Sequence, residues 1–229
     1  RRGHVVVAPL RGELDKTHNT PRGRRLHLLQ KNCEIVPNAP FGSNSFQQLI
    51  EKTEGFDLFC HHAAETSGYT EAGFDVDGAV EKNCLNLTNT LEALKGKGCN
   101  KLILTGSVSE MSESWSYGSL RAFGGYGLSK RITSNRFQEE TKIHGIEFRK
   151  FTVANPFGPL ENPKFPSYLA SRWRRKETAE VRTPEYVRDN IHVSLLAEAY
   201  HQFADRKAEN DHLISFKPSG YIGTQASFA

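Results

Sequence analysis

Residues 100–107 read NKLILTGS, and how this stretch is read decides the fold. Leu102, Ile103 and Leu104 form an unbroken aliphatic run between Asn100 and Gly106. It is too short for a helix and apolar on both faces of the pleat, the pattern of a strand covered on both sides. Working outward, HVVVAPL (4–10), CEIV (33–36), FDLFCHHAA (56–64) and the start of IEFRKFTVANPFGP (146–159) read as further strands. Between them lie helical patterns. SFQQLIEKTEG (45–55) has Ser45 as its expected cap and Gly55 as its expected stop. In DVDGAVEKNCLNLTNTLEALKGKG (75–98), Val80, Cys84, Leu87, Leu91 and Leu94 recur at helical steps, which predicts one long helix. A second long helix is expected from Gly125 to about His144, with NPFGP (155–159) as an exit loop. Residues 12–31 are polar and basic and give no clear element.

Strands alternating with helical crossovers predict an α/β fold with a mostly parallel sheet. In such sheets ligands gather where strands end at their carboxyl side. HHAAETSG (61–68), TGSVSE (105–110) and NPFGP all fall there. Past Pro163 the chain turns aromatic, basic and irregular before the helical SLLAEAYHQFAD (194–205) and the strand HLISF (212–216). The expected division is therefore a main domain over 1–160 and a smaller substrate-binding region over 161–229, interleaved with the last elements of the main domain.

Bulk properties narrow the partners. The 229 residues carry 30 basic and 26 acidic side chains, a formal +4, too mild a balance to point to nucleic acid. No run approaches the ~18 continuous apolar residues of a membrane span, and the start lacks the apolar core of a signal peptide. A cytoplasmic protein is expected. Cys33, Cys60, Cys84 and Cys99 are widely spaced and read as free thiols, although two disulfides would also fit the count. His61 and His62 are adjacent, so on a strand they point to opposite faces, and no metal site is expected. The basic run SRWRRKE (171–177) fits a diphosphate contact, a solvated surface or, with Trp173, a base-stacking platform.

YGLSK (126–130) places Tyr126 and Lys130 on one helix face, one turn apart. A free tyrosine titrates near pH 10, too high for proton exchange near neutrality, and a neighbouring ammonium is expected to lower it. Alone, the pair is as readily a boundary tyrosine and a solvated lysine. Ser107, nineteen residues earlier at a strand exit, adds the hydroxyl that would hold a substrate oxygen.

These stretches together resemble the extended short-chain dehydrogenase/reductase family, specifically its nucleotide-sugar epimerase, dehydratase and ketoreductase branch. The resemblance implies a Rossmann-like sheet, with Ser107, Tyr126 and Lys130 as the catalytic set and Asn83, in EKNCLNL, as a relay. It also implies that His62, Ala63, Ala64, Thr105, Tyr126, Lys130, Pro156 and Phe157 line the cofactor. Substrate contacts would be Ser67, Ser109, Asn155 of TVANPFGP and Arg188 of YVRDNIHV. A homodimer is the family expectation.

The chain departs from the family pattern at both ends. No G-x-x-G-x-x-G turn accompanies the first strand, where backbone N–H groups would hold a pyrophosphate, and the end at FKPSGYIGTQASFA is early. The expectation is that roughly 20 residues are missing ahead of Arg1 and a larger piece behind Ala229. The end of the first predicted strand, APLRG, offers no acid to ribose hydroxyls. Arg11, with Arg24 and Arg25, suits a 2′-phosphate, which favours NADP over NAD; a solvated basic loop fits the same residues.

Dehydratases of this branch read T-D-E where this chain has Ser107-Val108-Ser109, and Val108 cannot transfer a proton. Epimerisation or ketoreduction of a nucleotide-linked sugar is therefore expected, against a non-catalytic dinucleotide-sensing or partner-binding relative. Glu110 is expected as an outward-facing loop residue, and the two histidines as groups ordering the cofactor loop through backbone bonds.

Overall fold

A computed structural model describes residues 3–14, 20–110, 124–207 and 213–229. The chain runs β1 (Val7–Pro9), α1 (Pro21–Gln30), β2 (Glu34–Val36), α2 (Asn44–Lys52), β3 (Phe59–His61), α3 (Val76–Asn83), α4 (Leu87–Gly96), β4 (Lys101–Ser107) and α5 (Gly124–Ile143). It continues through β5 (Glu147–Val153), β6 (Asn155–Phe157), α6 (Phe165–Arg174), β7 (Val187–His192), α7 (Val193–Asp205), β8 (Leu213–Phe216), β9 (Tyr221–Thr224) and α8 (Gln225–Phe228).

The main sheet has the order β3-β4-β5-β8, all parallel. Side chains alternate across β4. Leu102 and Leu104 enter a core with Phe46, Ile50, Leu91, Leu94 and Phe137, on the side of α2, α4 and α5. Ile103 points the other way, onto Phe151 and Phe203, where α7 covers the sheet. All three are at most 1% exposed, and each fully buried aliphatic contributes roughly 1.5–3 kcal/mol. The strand expected to be covered on both faces is therefore covered on both faces. β1 and β2 form a separate parallel pair, and β6, β7 and β9 form a third sheet in which β9 runs antiparallel. β8 returns to the main sheet beside β5.

Several expectations need correction. The long helix over 75–98 is two helices, because Asn86 between them adopts a left-handed backbone with φ 49°. Its Nδ2 donates to the Gly42 carbonyl at 2.6 Å. Gly42 itself approaches so closely that a Cβ there would lie 1.9 Å from the Leu85 carbonyl oxygen. The break comes from this tertiary contact, which heptad-like spacing does not register.

α2 is capped by Ser43, whose hydroxyl accepts from the Phe46 N–H at 3.2 Å, while Ser45 donates to the Asn38 carbonyl. The same helix stops at Thr53, two residues before Gly55. α1 went unread, although Thr20-Pro21 is a cap followed by proline at the first helical position: Thr20 Oγ1 accepts from Gly23 N at 2.9 Å. Asn155–Phe157, expected as a loop, is strand β6 paired with Asn190–His192.

Candidate active site at the carboxyl ends of the main sheet

Thr105 to Ser107 end β4, and α5 brings Tyr126 and Lys130 over them. Tyr126 stands near Ser107, whose hydroxyl favours the ionised form of the phenol. Ser107 Oγ accepts the Ser109 N–H at 3.2 Å, which leaves its own O–H to donate. Lys130 is 4% exposed, and its Nζ donates to the Thr105 carbonyl at 2.8 Å. Thr105 Oγ1 in turn contacts His62 Nδ1 at 2.7 Å.

The structure thus brings Ser107, Tyr126, Lys130, Thr105, Ser109 and His62 together. Burial, then the charge of Glu110, then Tyr69, raise the Tyr126 pKa, opposed by the Ser107 hydrogen bond. This corrects the expectation that Lys130 lowers it. Lys130 directs its ammonium at a backbone carbonyl, and burial lowers its own pKa.

Glu110 is the second correction. It is fully buried rather than outward-facing. Oε1 accepts from Ser107 N at 2.9 Å and Oε2 meets Lys150 Nζ at 2.7 Å, so a carboxylate–ammonium pair lies beneath the serine. Gly106 makes room for it: a Cβ there would stand 2.9 Å from Lys150 Cε and 3.0 Å from Glu110 Oε1. The sequence did carry a signal for the pair. A lysine inside the apolar strand FRKFTV requires a buried acidic partner.

His61 and His62 do face opposite ways, but they act through side chains rather than backbone bonds. His61 sits among Phe41, Phe59 and Phe137, with ring centroids 4.5, 5.9 and 4.6 Å away. Its Nε2 is buried without a hydrogen-bond partner. Burial, then the charges of Lys130 and His62, push its pKa down to about 3.

Asn83 is 4% exposed and braces two elements. Its Oδ1 accepts from Glu65 N at 2.7 Å, and its Nδ2 donates to Thr133 Oγ1 of α5 at 3.2 Å. Ala63 and Ala64 lie in the same loop after β3. There the Glu65 carboxylate accepts the Ser67 N–H at 2.8 Å, and the Ser67 bonds with help from Lys82 hold its pKa near about 2. Arg11 approaches that carboxylate at 3.8 Å and is largely exposed. Arg25 is committed elsewhere, donating to the Leu160 carbonyl at 2.9 Å.

The remaining expected contacts belong to the third sheet. Asn155 Nδ2 donates to Asn190 Oδ1 at 2.6 Å, Pro156 pairs in register with Ile191, and Phe157 packs on His192 and Phe228. The Arg188 guanidinium stacks over Tyr186, 4.2 Å from the ring centroid. Arg188 also feels Tyr69, whose ring lies 5.6 Å from that of Tyr126. Tyr69 is thus a link between Arg188 and Tyr126 that motif reading did not supply. The basic run 171–177 pairs largely within itself: Arg172 bonds the Thr178 carbonyl and Glu177, and Arg175 meets Glu177.

A parallel α/β sheet whose strand ends hold a serine, a tyrosine and a buried lysine defines a dehydrogenase-like class of site. The chain belongs to the NAD dependent epimerase/dehydratase family, whose model matches residues 7–216. This agrees with the resemblance to extended short-chain dehydrogenases read from the sequence. No curated protein matches the chain.

Among solved structures, the chain is similar to the UDP-glucose 4-epimerase of Thermotoga maritima with UDP-glucose. The two are 17% identical with a TM-score of 0.74, over 99% of this chain and 73% of that one. It is also similar to the UDP-glucuronic acid 4-epimerase of Bacillus cereus in complex with UDP-glucuronic acid and NAD, at 17% identity and TM-score 0.71, over 95% and 70%. A third is the Bordetella bronchiseptica enzyme WbmH in complex with NAD+, at 20% and 0.66, over 99% and 71%. Among the described residues no helix is long and apolar enough to cross a membrane.

Proposed function

We propose that this chain is an NAD(P)-dependent epimerase or ketoreductase for a nucleotide-linked sugar, with epimerisation the favoured reaction. The observation that carries the reading is Tyr126 in reach of Ser107 beside buried Lys130, at the carboxyl edge of the sheet. Family membership supports the cofactor class, and the UDP-sugar 4-epimerases among the structural neighbours support the substrate class.

The residues present fit the nicotinamide end of such a cofactor. Lys130 is a buried ammonium with one N–H on the Thr105 carbonyl and two N–H left for ribose hydroxyls. When bound, the nicotinamide supplies hydride exchange. Ser107 orients the substrate oxygen through its O–H. Tyr126 as the phenol gives a proton to that oxygen when a carbonyl is reduced, and as the phenolate takes one when a hydroxyl is oxidised. Asn83 fixes the loop after β3 against α5, which keeps the site's wall in register with Tyr126. Arg11 at the exit of β1 is the proposed 2′-phosphate contact, in competition with Glu65.

The test is turnover of UDP-sugars with NAD+ or NADP+, and of UDP-keto-sugars with NADH or NADPH. Sugar inversion is followed by chromatography, and ketoreduction by the loss of reduced-nicotinamide absorbance. Replacing Tyr126→Phe removes the exchangeable proton and is expected to lower turnover on the order of 10²–10⁴-fold. Full turnover by that variant would overturn the assignment of Tyr126. Weaker use of NADP+ by Arg11→Ala, with NAD+ use unchanged, is the outcome expected for the 2′-phosphate contact.

A further inference from the structure

We propose that His4, His201 and Asp205 form a site for one borderline divalent cation of the zinc class. Such an ion would clip the entry to β1 onto the end of α7. His4 lies almost the full chain away from His201 and Asp205 in sequence, and the fold brings the three donor atoms within 4.8 Å of one another. Asp205 holds both rings already, Oδ1 at 2.9 Å from His4 Nε2 and Oδ2 at 3.4 Å from His201 Nδ1. The rings stand edge to face with centroids 5.7 Å apart.

The helical half of this cluster is pre-set. His201 and Asp205 are four residues apart and share one face of α7. The opposite face is anchored, with Leu196, Ala199, Tyr200, Phe203 and Ala204 packed against Ile103 and Phe151. The third donor comes from outside the helix, on the approach to β1.

Zinc lies about 2.0–2.2 Å from nitrogen and oxygen ligands, so two ligands in a tetrahedral shell stand roughly 3.3–3.6 Å apart. Closing the remaining gap takes a small rotation of His4 and Asp205, whose side chains are about half exposed, at 50% and 47%. Three protein ligands and a water complete a tetrahedron. Two imidazoles and one carboxylate suit Zn²⁺, Co²⁺, Ni²⁺ or Cu²⁺ better than Mg²⁺ or Ca²⁺, which prefer all-oxygen shells.

Electrostatics favours a cation at this position. Asp205 is the last residue of α7, at the negative end of the helix dipole, and the last turn carries no basic residue. Lys101 faces the same end and feels the Asp205 charge, but its Nζ hydrogen-bonds backbone: it donates to the Ala204 carbonyl at 3.1 Å and the Arg206 carbonyl at 3.3 Å. The benefit is connection. β1 belongs to the two-stranded sheet and α7 covers the main one, so an ion here would tie two sheets that share no strand.

The experiment is calorimetric titration of the EDTA-stripped protein with zinc chloride, paired with cobalt(II) absorption spectra. One equivalent should bind. His4→Ala and His201→Ala should each weaken binding at least tenfold, and the double variant should abolish it. His27→Ala, at an exposed histidine of α1, should leave it unchanged. Zinc should raise the thermal midpoint of the wild type and leave that of His4→Ala where it was. Cobalt should give ligand-field bands without thiolate charge transfer. Absence of a one-equivalent site, binding that survives the double variant, or a thiolate spectrum from the cysteines would each overturn the proposal.

Discussion

Lys150→Met leaves the shape of β5 nearly intact and deletes the partner of a carboxylate that no solvent reaches. Glu110 is 0% exposed and the Lys150 side chain 11%, with 2.7 Å between Oε2 and Nζ. After the substitution Glu110 keeps one backbone N–H bond, from Ser107, and the more distant charge of Lys130. Stripping one partner from a buried pair costs about 3–5 kcal/mol, because the other charge remains uncompensated. For a chain of this size that is a fall in midpoint of roughly 6–20 °C.

Glu110→Gln with Lys150→Met removes both charges, so the double variant should lose at least about 2 kcal/mol less than the two singles summed. Urea unfolding followed by far-UV circular dichroism at pH 7, on all four members of the cycle, measures this. A Lys150→Met cost below about 1 kcal/mol, or singles that add to the double within about 0.5 kcal/mol, would refute the coupling.

Glu110→Gln on its own removes the second-largest influence raising the Tyr126 pKa, so the tyrosine limb of the pH–rate profile should move to lower pH; an unchanged or upward limb contradicts the electrostatic link. His61 is buried neutral with a folded pKa of about 3 against 6.5 unfolded, so the folded state binds fewer protons between those values and stability falls as pH drops through them. By pH 4 the loss from this group is about 3 kcal/mol, and denaturation of His61→Phe at pH 7 and pH 4 should show a difference smaller by that amount. Gly42→Ala drives a methyl into the Leu85 carbonyl from a backbone at φ 74°, so a destabilisation of at least about 2 kcal/mol is expected in urea melts, and a neutral result would mean the α3–α4 break does not need that close approach.

What was legible in the sequence was whatever depends on neighbours along the chain. The apolar run of β4, bounded by Asn100 and Gly106, announced a doubly covered strand. The adjacency of His61 and His62 announced opposite faces. What was not legible depends on contacts across the fold. The turn at Asn86 exists because Gly42, forty-odd residues earlier, presses on Leu85. The burial of Glu110 depends on Lys150, and the His4–His201–Asp205 cluster on opposite ends of the chain. The Thr20-Pro21 start of α1 belongs to neither group: its signal was local, and the polar, basic composition around it concealed it.

The spacing of YGLSK fixes which face Tyr126 and Lys130 share but leaves open where the ammonium points. In this structure it points at the Thr105 carbonyl, and the charge raising the tyrosine pKa is Glu110. A phenol so placed is a ready proton donor and a reluctant acceptor. Accepting a proton requires extra positive charge near its oxygen, which Lys130 would supply if it turned from Thr105 toward the phenol. The Glu110–Lys150 pair works on the opposite side of the balance. By neutralising part of the Glu110 charge, Lys150 limits how far Tyr126 is raised, and Glu110, by accepting from Ser107 N, holds the serine in place. The acid–base poise of the tyrosine is therefore set from beneath the sheet as much as from the lysine one turn along its own helix.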